Sequence, residues 1–122
     1  MKFCKCTVCG KIVALVKETA VPTVCCGQSM QELVPGATDG AEEKHVPVCS
    51  VAHDTVTVDV GSVAHPMSAE HRIEWIALET AHGNQRKELE PGDLPQAVFA
   101  LVPYDRVMAV YAYCNLHGLW KA

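Results

Sequence analysis

Apolar and polar residues alternate along two stretches of the chain in a way that predicts β-strands. Residues 55–60 and residues 107–113 both repeat with a period of two, which places alternate side chains on opposite faces of a strand. Helical periodicity is weak throughout, and turn signals such as the Pro-Gly-Asp sequence at 91–93 separate the apolar runs. Several short strands without intervening helices predict a mainly β protein, built as an antiparallel sandwich whose loops and strand ends carry any functional site.

The distribution of cysteines predicts two domains. Five of the seven cysteines precede residue 36, and the stretch 37–43 that follows has the composition of a linker. We therefore predict an N-terminal domain of residues 1–36 and a β domain of residues 37–122. The first is too short to bury a sufficient apolar core, so we expect it to need a metal in order to fold.

Composition and charge exclude several classes of protein. The hydrophobic content of 49% supports a packed core, and the formal charge of -4, without any Lys/Arg cluster, is unlike that of a nucleic-acid binder. The N-terminus lacks the apolar segment of a signal peptide, and no apolar run reaches the length of a membrane span. We therefore expect a cytoplasmic protein without a nucleic-acid or membrane partner. Cysteines stay reduced in the cytoplasm, so their grouping favours metal binding over disulfide bonds.

The cysteines of the N-terminal domain form a predicted four-thiolate site. Cys6 and Cys9 have the Cys-x-x-Cys spacing of a metal knuckle, and the adjacent Cys25 and Cys26 complete a tetrahedron. Zinc and iron both accept four thiolates, so the cysteine count leaves the metal open. Adjacent cysteines cannot form a second knuckle, and we expect a strained angle between their sulfur atoms. Cys4 lies outside the knuckle spacing and is interpreted as a spectator.

A second predicted site combines four histidines with one cysteine: His45, His65, His71, Cys114 and His117. A structural zinc site is usually satisfied by four ligands, whereas these five leave a sixth position of a transition metal free for chemistry. This set is typical of iron. We interpret His53 and His82 as surface or core histidines, Cys49 as a buried, inert thiol, and Trp75 and Trp120 as core or rim packing.

Three alternative functions compete with iron chemistry. A cupredoxin-like electron-transfer protein would combine a β-sandwich with a Cys-x-x-His near the C-terminus, but the axial methionine common in blue-copper sites is missing after His117. A zinc-binding interaction module would leave the four histidines and Cys114 without a role. A non-haem oxygenase would usually offer two histidines and one carboxylate, and a thiolate ligand disfavours it.

The ordered set of motifs resembles the desulfoferrodoxins, the two-iron superoxide reductases, along essentially the whole chain. Cys6-x-x-Cys9 followed by Cys25-Cys26 is similar to the family's desulforedoxin-type iron site. The Glu-Lys-His-Val-Pro sequence at 43–47, the His-Pro-Met at 65–67 with a further histidine at 71, and the Cys-Asn-Leu-His-Gly at 114–118 are similar to its catalytic centre. The resemblance implies a desulforedoxin-like knuckle followed by an immunoglobulin-like antiparallel β-sandwich, with two irons per chain. Zinc remains an alternative in the N-terminal site.

The resemblance also implies the chemistry and the partners. Four equatorial histidines and the axial Cys114 would hold Fe(II), which reduces superoxide by one electron to hydrogen peroxide in oxidative-stress defence. The net charge of such a centre is about +1, and Lys44 would add to its attraction for the anionic substrate. Glu43 would occupy the sixth position in the ferric state and help to displace the product. Rubredoxin or a similar small carrier is the expected electron donor, and a homodimer the expected assembly.

Overall fold

Short antiparallel strands make up nearly all of the regular structure in the computed structural model, which describes residues 1–122. The predicted mainly β architecture is confirmed. The chain forms two compact units, Met1–Val34 and Pro35–Ala122. The only helix is a four-residue turn, and none is long and apolar enough to cross a membrane.

The first unit consists of a three-stranded sheet and a small hairpin. Its strands are β1 (Lys2–Lys5), β2 (Ile12–Leu15), β3 (Val24–Cys25), β4 (Gln28–Ser29) and β5 (Gln31–Glu32). β1 is the central strand of the order β2-β1-β5, and β3 pairs only with β4. Two hairpins carry the four cysteines. The β1–β2 turn contains Cys6 and Cys9, and the β3–β4 hairpin contains Cys25 and Cys26.

The second unit begins with helix α1 (Glu42–His45) and continues with seven strands. These are β6 (Pro47–Ala52), β7 (Thr55–Val60), β8 (Ile73–Thr80), β9 (Gly83–Glu88), β10 (Gln96–Ala100), β11 (Val107–Cys114) and β12 (Gly118–Lys121). They form two antiparallel sheets with the orders β10-β7-β6 and β12-β11-β8-β9. The stretch 37–43 has linker composition, yet its last two residues belong to α1. The helical turn is closed by the Val46 N–H, which donates to the Glu42 carbonyl at 2.9 Å.

The core of this unit lies between the two sheets. Alternate residues of β7, namely Val56, Val58 and Val60, are fully buried and belong to one cluster with Ile76 and Leu78 of the facing sheet. Burial of each such side chain contributes roughly 1.5–3 kcal/mol. Cys114 belongs to the same cluster. One of the predicted metal ligands is therefore anchored directly in the core.

Three chain segments meet where β7 and β11 end. Helix α1 precedes β6, residues 61–72 connect β7 to β8, and residues 115–117 connect β11 to β12. Antiparallel pairing aligns these points, since Pro47 pairs with Val60 and Cys114 pairs with both Ile73 and Gly118. The strand ends of a packed sandwich thus hold the loops that carry the predicted histidines.

Candidate metal centres

The five predicted ligands of the second unit converge at this end of the sandwich. Their ligand atoms all lie within 4.8 Å of one another, and the group consists of His45, His65, His71, Cys114 and His117. His45 is the last residue of α1, and Cys114 is the last residue of β11. The other three lie in the connections 61–72 and 115–117. We call this group the histidine–cysteine cluster.

The four imidazole rings of this cluster form a square. Going around it, the ring centroids of His45, His65, His71 and His117 are separated by 4.6, 4.8, 5.0 and 4.8 Å, and the diagonal from His45 to His71 is 6.5 Å. Half of that diagonal is about 3.2 Å; subtracting about 1.1 Å from ring centre to nitrogen leaves about 2.1 Å, the length of a metal–histidine bond. The square therefore has the dimensions of an equatorial ligand plane.

Hydrogen bonds fix the tautomers of two of these rings. Nδ1 of His45 lies 2.7 Å from the Ala41 carbonyl, and Nδ1 of His65 lies 2.7 Å from the Pro66 carbonyl. A carbonyl oxygen only accepts, so both Nδ1 atoms carry the proton, and Nε2 of each neutral ring is left with its lone pair. Burial lowers the pKa of His45 and lowers that of His65 to about 4, which keeps both rings neutral at pH 7.

The lone pairs of His45 and His65 face each other at the distance expected across a bound cation. The Nε2 atoms of His45 and His65 are 3.0 Å apart, and Nε2 of His45 is 3.1 Å from Nδ1 of His117. With both protons already on Nδ1, the two Nε2 atoms cannot hydrogen-bond to each other. The buried Nε2 of His71 also has no hydrogen-bond partner. Lone pairs that face one another at about 3 Å are the spacing of adjacent ligands on one transition-metal ion.

Cys114 supplies the fifth ligand atom. Its side chain is fully buried, and its sulfur lies 3.7 Å from Nδ1 of His117. Burial raises the pKa of the Cys114 thiol, while hydrogen bonds from the backbone N–H groups of Leu116 and His117 act in the opposite direction. Those N–H groups are suited to stabilising a thiolate that is bound to a metal.

The two charged residues predicted to serve catalysis, Glu43 and Lys44, are exposed on α1, immediately before His45. The Glu43 carboxylate is not part of the histidine–cysteine cluster. Burial is the main cause that lowers the pKa of His71, and electrostatic interaction with His117 and Lys44 lowers it further. The charge of Lys44 thus acts on the cluster.

The four predicted cysteines of the first unit also converge. The sulfur atoms of Cys6, Cys9, Cys25 and Cys26 lie within 4.8 Å of one another, with 3.7 Å from Cys9 to Cys25 and 4.0 Å from Cys25 to Cys26. Thiolates at the corners of a tetrahedron, each about 2.3 Å from a metal, lie about 3.8 Å apart. We call this group the cysteine cluster.

Local backbone geometry explains how adjacent cysteines reach one ion. Cys26 and Gly27 form the two-residue turn of the β3–β4 hairpin, with φ of 52° and 74°. Two positive φ angles are typical of a type I′ hairpin turn, which glycine adopts without steric cost and a non-glycine residue adopts with some strain. The turn thus brings both sulfur atoms to one side of the hairpin at the cost of a left-handed backbone at Cys26.

The thiols of the cysteine cluster differ in pKa. Backbone N–H groups of Cys9 and Val8 are the main cause that lowers the pKa of Cys6 to about 6. Hydrogen bonding with Cys6 and with the other two thiols raises the pKa of Cys26 to about 12. Four thiolates therefore do not coexist at neutral pH without a cation, and metal binding has to release protons.

The remaining cysteines and histidines lie outside both clusters. Cys4 is buried in β1, where it pairs with Val13 and Glu32 of the neighbouring strands. Cys49 is half-buried against the core, and burial raises the pKa of its thiol. His53 lies in the β6–β7 turn, and His82 lies 3.2 Å from Asp105.

Two residues that support the histidine–cysteine cluster were not predicted from the sequence to do so. Trp120 stacks on His45 with centroids 4.9 Å apart, and its Nε1–H donates to the His117 carbonyl at 3.0 Å. Gly61 has no room for a side chain, because a Cβ atom would lie 2.6 Å from the Glu43 carbonyl oxygen. A glycine directly after an alternating strand was the only sequence signal for this close approach.

Comparison with known proteins agrees with both clusters. A family model described as desulfoferrodoxin matches residues 37–122, and one described as the desulfoferrodoxin N-terminal domain matches residues 1–33. The chain belongs to the desulfoferrodoxin family. A desulfoferrodoxin homologue from Archaeoglobus fulgidus is 48% identical over 122 residues, which cover 100% of this chain and 96% of the relative. The desulfoferrodoxin of Nitratidesulfovibrio vulgaris is 48% identical over 118 residues, 97% of this chain and 92% of that protein.

Solved structures extend the similarity to the whole fold of a desulfoferrodoxin. A superoxide reductase from Treponema pallidum aligns with a TM-score of 0.83 and 37% identity, and the alignment covers 98% of both chains. The predicted fold class, a metal knuckle followed by a β-sandwich, is confirmed. In a desulfoferrodoxin, two groups of His and Cys side chains with metal-site dimensions support iron binding.

Proposed function

We propose that this protein is a superoxide reductase that converts superoxide to hydrogen peroxide at a mononuclear non-haem iron, as part of oxidative-stress defence. The observation that carries the proposal is the square of four imidazoles with the Cys114 sulfur as a fifth donor. A blue-copper site would use two histidines and one cysteine, so the two further imidazoles favour iron over a cupredoxin-like function. The name of the similar structure from Treponema pallidum supports the same reaction.

The proposal assigns a role to each cluster. In the domain of residues 37–122, His45, His65, His71 and His117 would bind the catalytic iron in one plane with Cys114 axial. In the domain of residues 1–36, Cys6, Cys9, Cys25 and Cys26 would bind a second iron, with zinc as the alternative. Iron(II) held by these residues would supply the one electron that, together with two protons, converts superoxide to hydrogen peroxide.

The protein's own residues prepare this site in three ways. The carbonyl groups of Ala41 and Pro66 hold two imidazoles in the tautomer that presents Nε2 inward. The N–H groups after Cys114 stabilise its thiolate. The neutral histidines leave the positive charge of the centre uncompensated except by that thiolate, so an anion is attracted in a protein of formal charge -4.

The exposed residues of α1 act on the substrate and the product. Lys44 would attract superoxide and orient it towards the cluster. Glu43, one residue earlier, would reach the vacant position after oxidation and help to displace peroxide. We further propose a cytoplasmic homodimer that receives electrons from rubredoxin or a similar small carrier.

The stoichiometry of the products tests the proposal. Iron-loaded protein in its reduced form is mixed rapidly with superoxide, and hydrogen peroxide and dioxygen are measured. A reductase yields one peroxide per superoxide consumed and no dioxygen. A yield of one half with release of dioxygen would indicate a dismutase, and failure to consume superoxide would refute the proposal. Protein loaded with zinc in both sites is the control, since zinc has no redox chemistry.

A further inference from the structure

Asn115 lies in the β11–β12 connection, between two members of the histidine–cysteine cluster. We propose that it is a positioning residue, which fixes the place of His71 relative to Cys114 and His117 through its side-chain amide. This inference rests on the ligand assignment of the proposed function. It requires metal binding at the cluster but not superoxide reduction.

Three hydrogen bonds join Asn115 to the segment around His71. Its Oδ1 accepts from the backbone N–H of Arg72 at 2.9 Å, and its Nδ2 donates to the Glu70 carbonyl at 2.8 Å. The backbone N–H of Asn115 donates to the Arg72 carbonyl at 3.2 Å. The residues on both sides of His71 are thus tied to the turn that carries Cys114 and His117, 43 residues further along the chain.

The chemistry of the amide suits this arrangement. Backbone N–H and carbonyl groups have fixed donor and acceptor roles, so the two partners determine which end of the amide is oxygen and which is nitrogen. A shorter or apolar side chain would leave the Arg72 N–H and the Glu70 carbonyl without these partners. Only a side chain with one acceptor and one donor at this distance satisfies both.

His71 depends on this tie more than His45 and His65 do. The rings of His45 and His65 are oriented by hydrogen bonds from Nδ1 to carbonyl groups, whereas neither ring nitrogen of His71 makes such a bond. The position of the His71 ring therefore follows from the backbone that carries it.

The other side-chain hydrogen bonds of residues 68–72 stay within this stretch. Ser68 Oγ accepts from His71 N–H at 3.1 Å and donates to the His71 carbonyl at 3.2 Å. Arg72 Nη1 donates to the Ala69 carbonyl at 2.7 Å. These bonds shape the loop, but they do not set its distance from the β11–β12 connection. The pairing of Cys114 with Ile73 ends the ladder at residue 73, and the Asn115 side chain extends the tie to residues 70–72.

A double-mutant cycle on metal binding tests the inference. Co²⁺ is titrated into metal-free full-length wild type, Asn115→Ala, His71→Ala and the double variant, with absorption spectra recorded for both clusters. Loss of an outer-shell partner typically weakens metal binding about 10–100-fold, and we expect this loss for Asn115→Ala at the histidine–cysteine cluster alone. In the His71→Ala background the same substitution should weaken Co²⁺ binding by less than about threefold, because the ligand through which Asn115 acts is already absent.

The ligand-field spectrum supplies the readout that a merely structural role would not change. Co²⁺ in Asn115→Ala should approach the spectrum of His71→Ala, while the cysteine cluster keeps its wild-type spectrum. Asn84→Ala, on the exposed strand β9, is the matched control and should leave both sites unchanged.

Two results would overturn the inference. One is a Co²⁺ spectrum and affinity of Asn115→Ala that equal those of the wild type. The other is an equal loss of Co²⁺ affinity when Asn115→Ala is introduced into the wild type and into His71→Ala. If Asn115→Ala does not fold, Asn115→Asp replaces it in the cycle. The aspartate keeps the acceptor for Arg72 but not the donor for Glu70, so the same coupling to His71 is expected with a smaller loss. Unchanged binding in His71→Ala would instead refute the ligand assignment, independently of any measurement of superoxide.

Discussion

The two metal clusters are built in opposite ways. The cysteine cluster uses residues close in sequence, since Cys6 and Cys25 are 19 residues apart. Two of its members, Cys9 and Cys26, are exposed to solvent. The histidine–cysteine cluster joins His45 to His117 across 72 residues, and its members are buried or half-buried. The first cluster lies on short hairpin turns, and the second lies at the end of a packed sandwich.

This difference indicates which cluster depends on its metal for structure. The first unit has strands of two to four residues, so its ligands have little apart from the ion to hold them together. The second unit holds its ligands with a core of buried valine, isoleucine and leucine side chains and with hydrogen bonds to the rings. We expect the first unit to need its metal in order to fold, and the second unit to fold with or without a metal.

Removal of both metals should therefore have its largest effect on the first unit. Apparent binding free energies of structural metal sites in small domains are about 10–16 kcal/mol, which a unit of this size cannot replace. We expect the amide NMR signals of residues 1–34 to collapse to unfolded positions in metal-free protein, while those of β7, β8 and β11 remain dispersed. Equal loss of signal dispersion in both units would break the comparison.

Loss of the Cys114 sulfur should have the next largest effect, which is expected at the histidine–cysteine cluster and not at the cysteine cluster. Cys114→Ser removes the axial donor, so the rate of superoxide reduction should fall by more than the roughly 100-fold upper range for outer-shell partners. Cys49→Ser, a half-buried thiol outside both clusters, is the control. The visible spectrum of the cysteine cluster should be unchanged in both variants, and a normal rate in Cys114→Ser would contradict the axial assignment.

A methyl group at position 61 should disturb the helix that carries His45. In Gly61→Ala the new Cβ would meet the Glu43 carbonyl oxygen at 2.6 Å, and overpacking of this kind costs about 1–3 kcal/mol. The free energy of unfolding of the second unit should fall by that amount in a denaturant titration. Gly83→Ala is the matched control, because nothing lies within 4 Å of its Cβ. Equal stability of the two variants would show that α1 adapts freely.

The smallest effect is expected for the exposed charge of Lys44. Lys44→Ala should slow the bimolecular reaction with superoxide about two- to fivefold at low ionic strength and flatten its salt dependence, because one steering charge is lost. Rapid-mixing rates at several salt concentrations measure this. Lys17→Ala changes the net charge equally in the first unit and serves as control. An unchanged salt slope in Lys44→Ala would remove the steering role.

The sequence predicted the strands and the convergent residues better than it predicted their supports. Alternation at 55–60 indicated β7 because one face of that strand is buried, whereas β11, indicated by the pattern at 107–113, is buried on both faces from Ala109 to Cys114. Metal ligands could be selected because their side-chain chemistry is rare and clustered. The same signal does not exist for Trp120, Gly61 or the Asn115 amide. Gly61 and Asn115 contact backbone groups far along the chain, and Trp120 stacks on the distant ring of His45.

The Cys-Cys sequence shows a related limit. Sequence spacing excluded a second knuckle but did not predict the two-residue turn at Cys26 and Gly27, since a cysteine with φ of 52° has no sequence signature. Likewise, the linker composition before α1 gave no sign of a helical turn of only four residues. Such a turn is too short to show helical periodicity.

The carbonyl hydrogen bonds to His45 and His65 bear on how fast electrons are exchanged. A ring held through Nδ1 by the main chain resists rotation when the charge at its other nitrogen changes. With two of the four rings restrained in this way, these rings move little when the charge beside them changes. In the iron-loaded site that we propose, this restraint would lower the part of the reorganisation energy that comes from the two imidazoles.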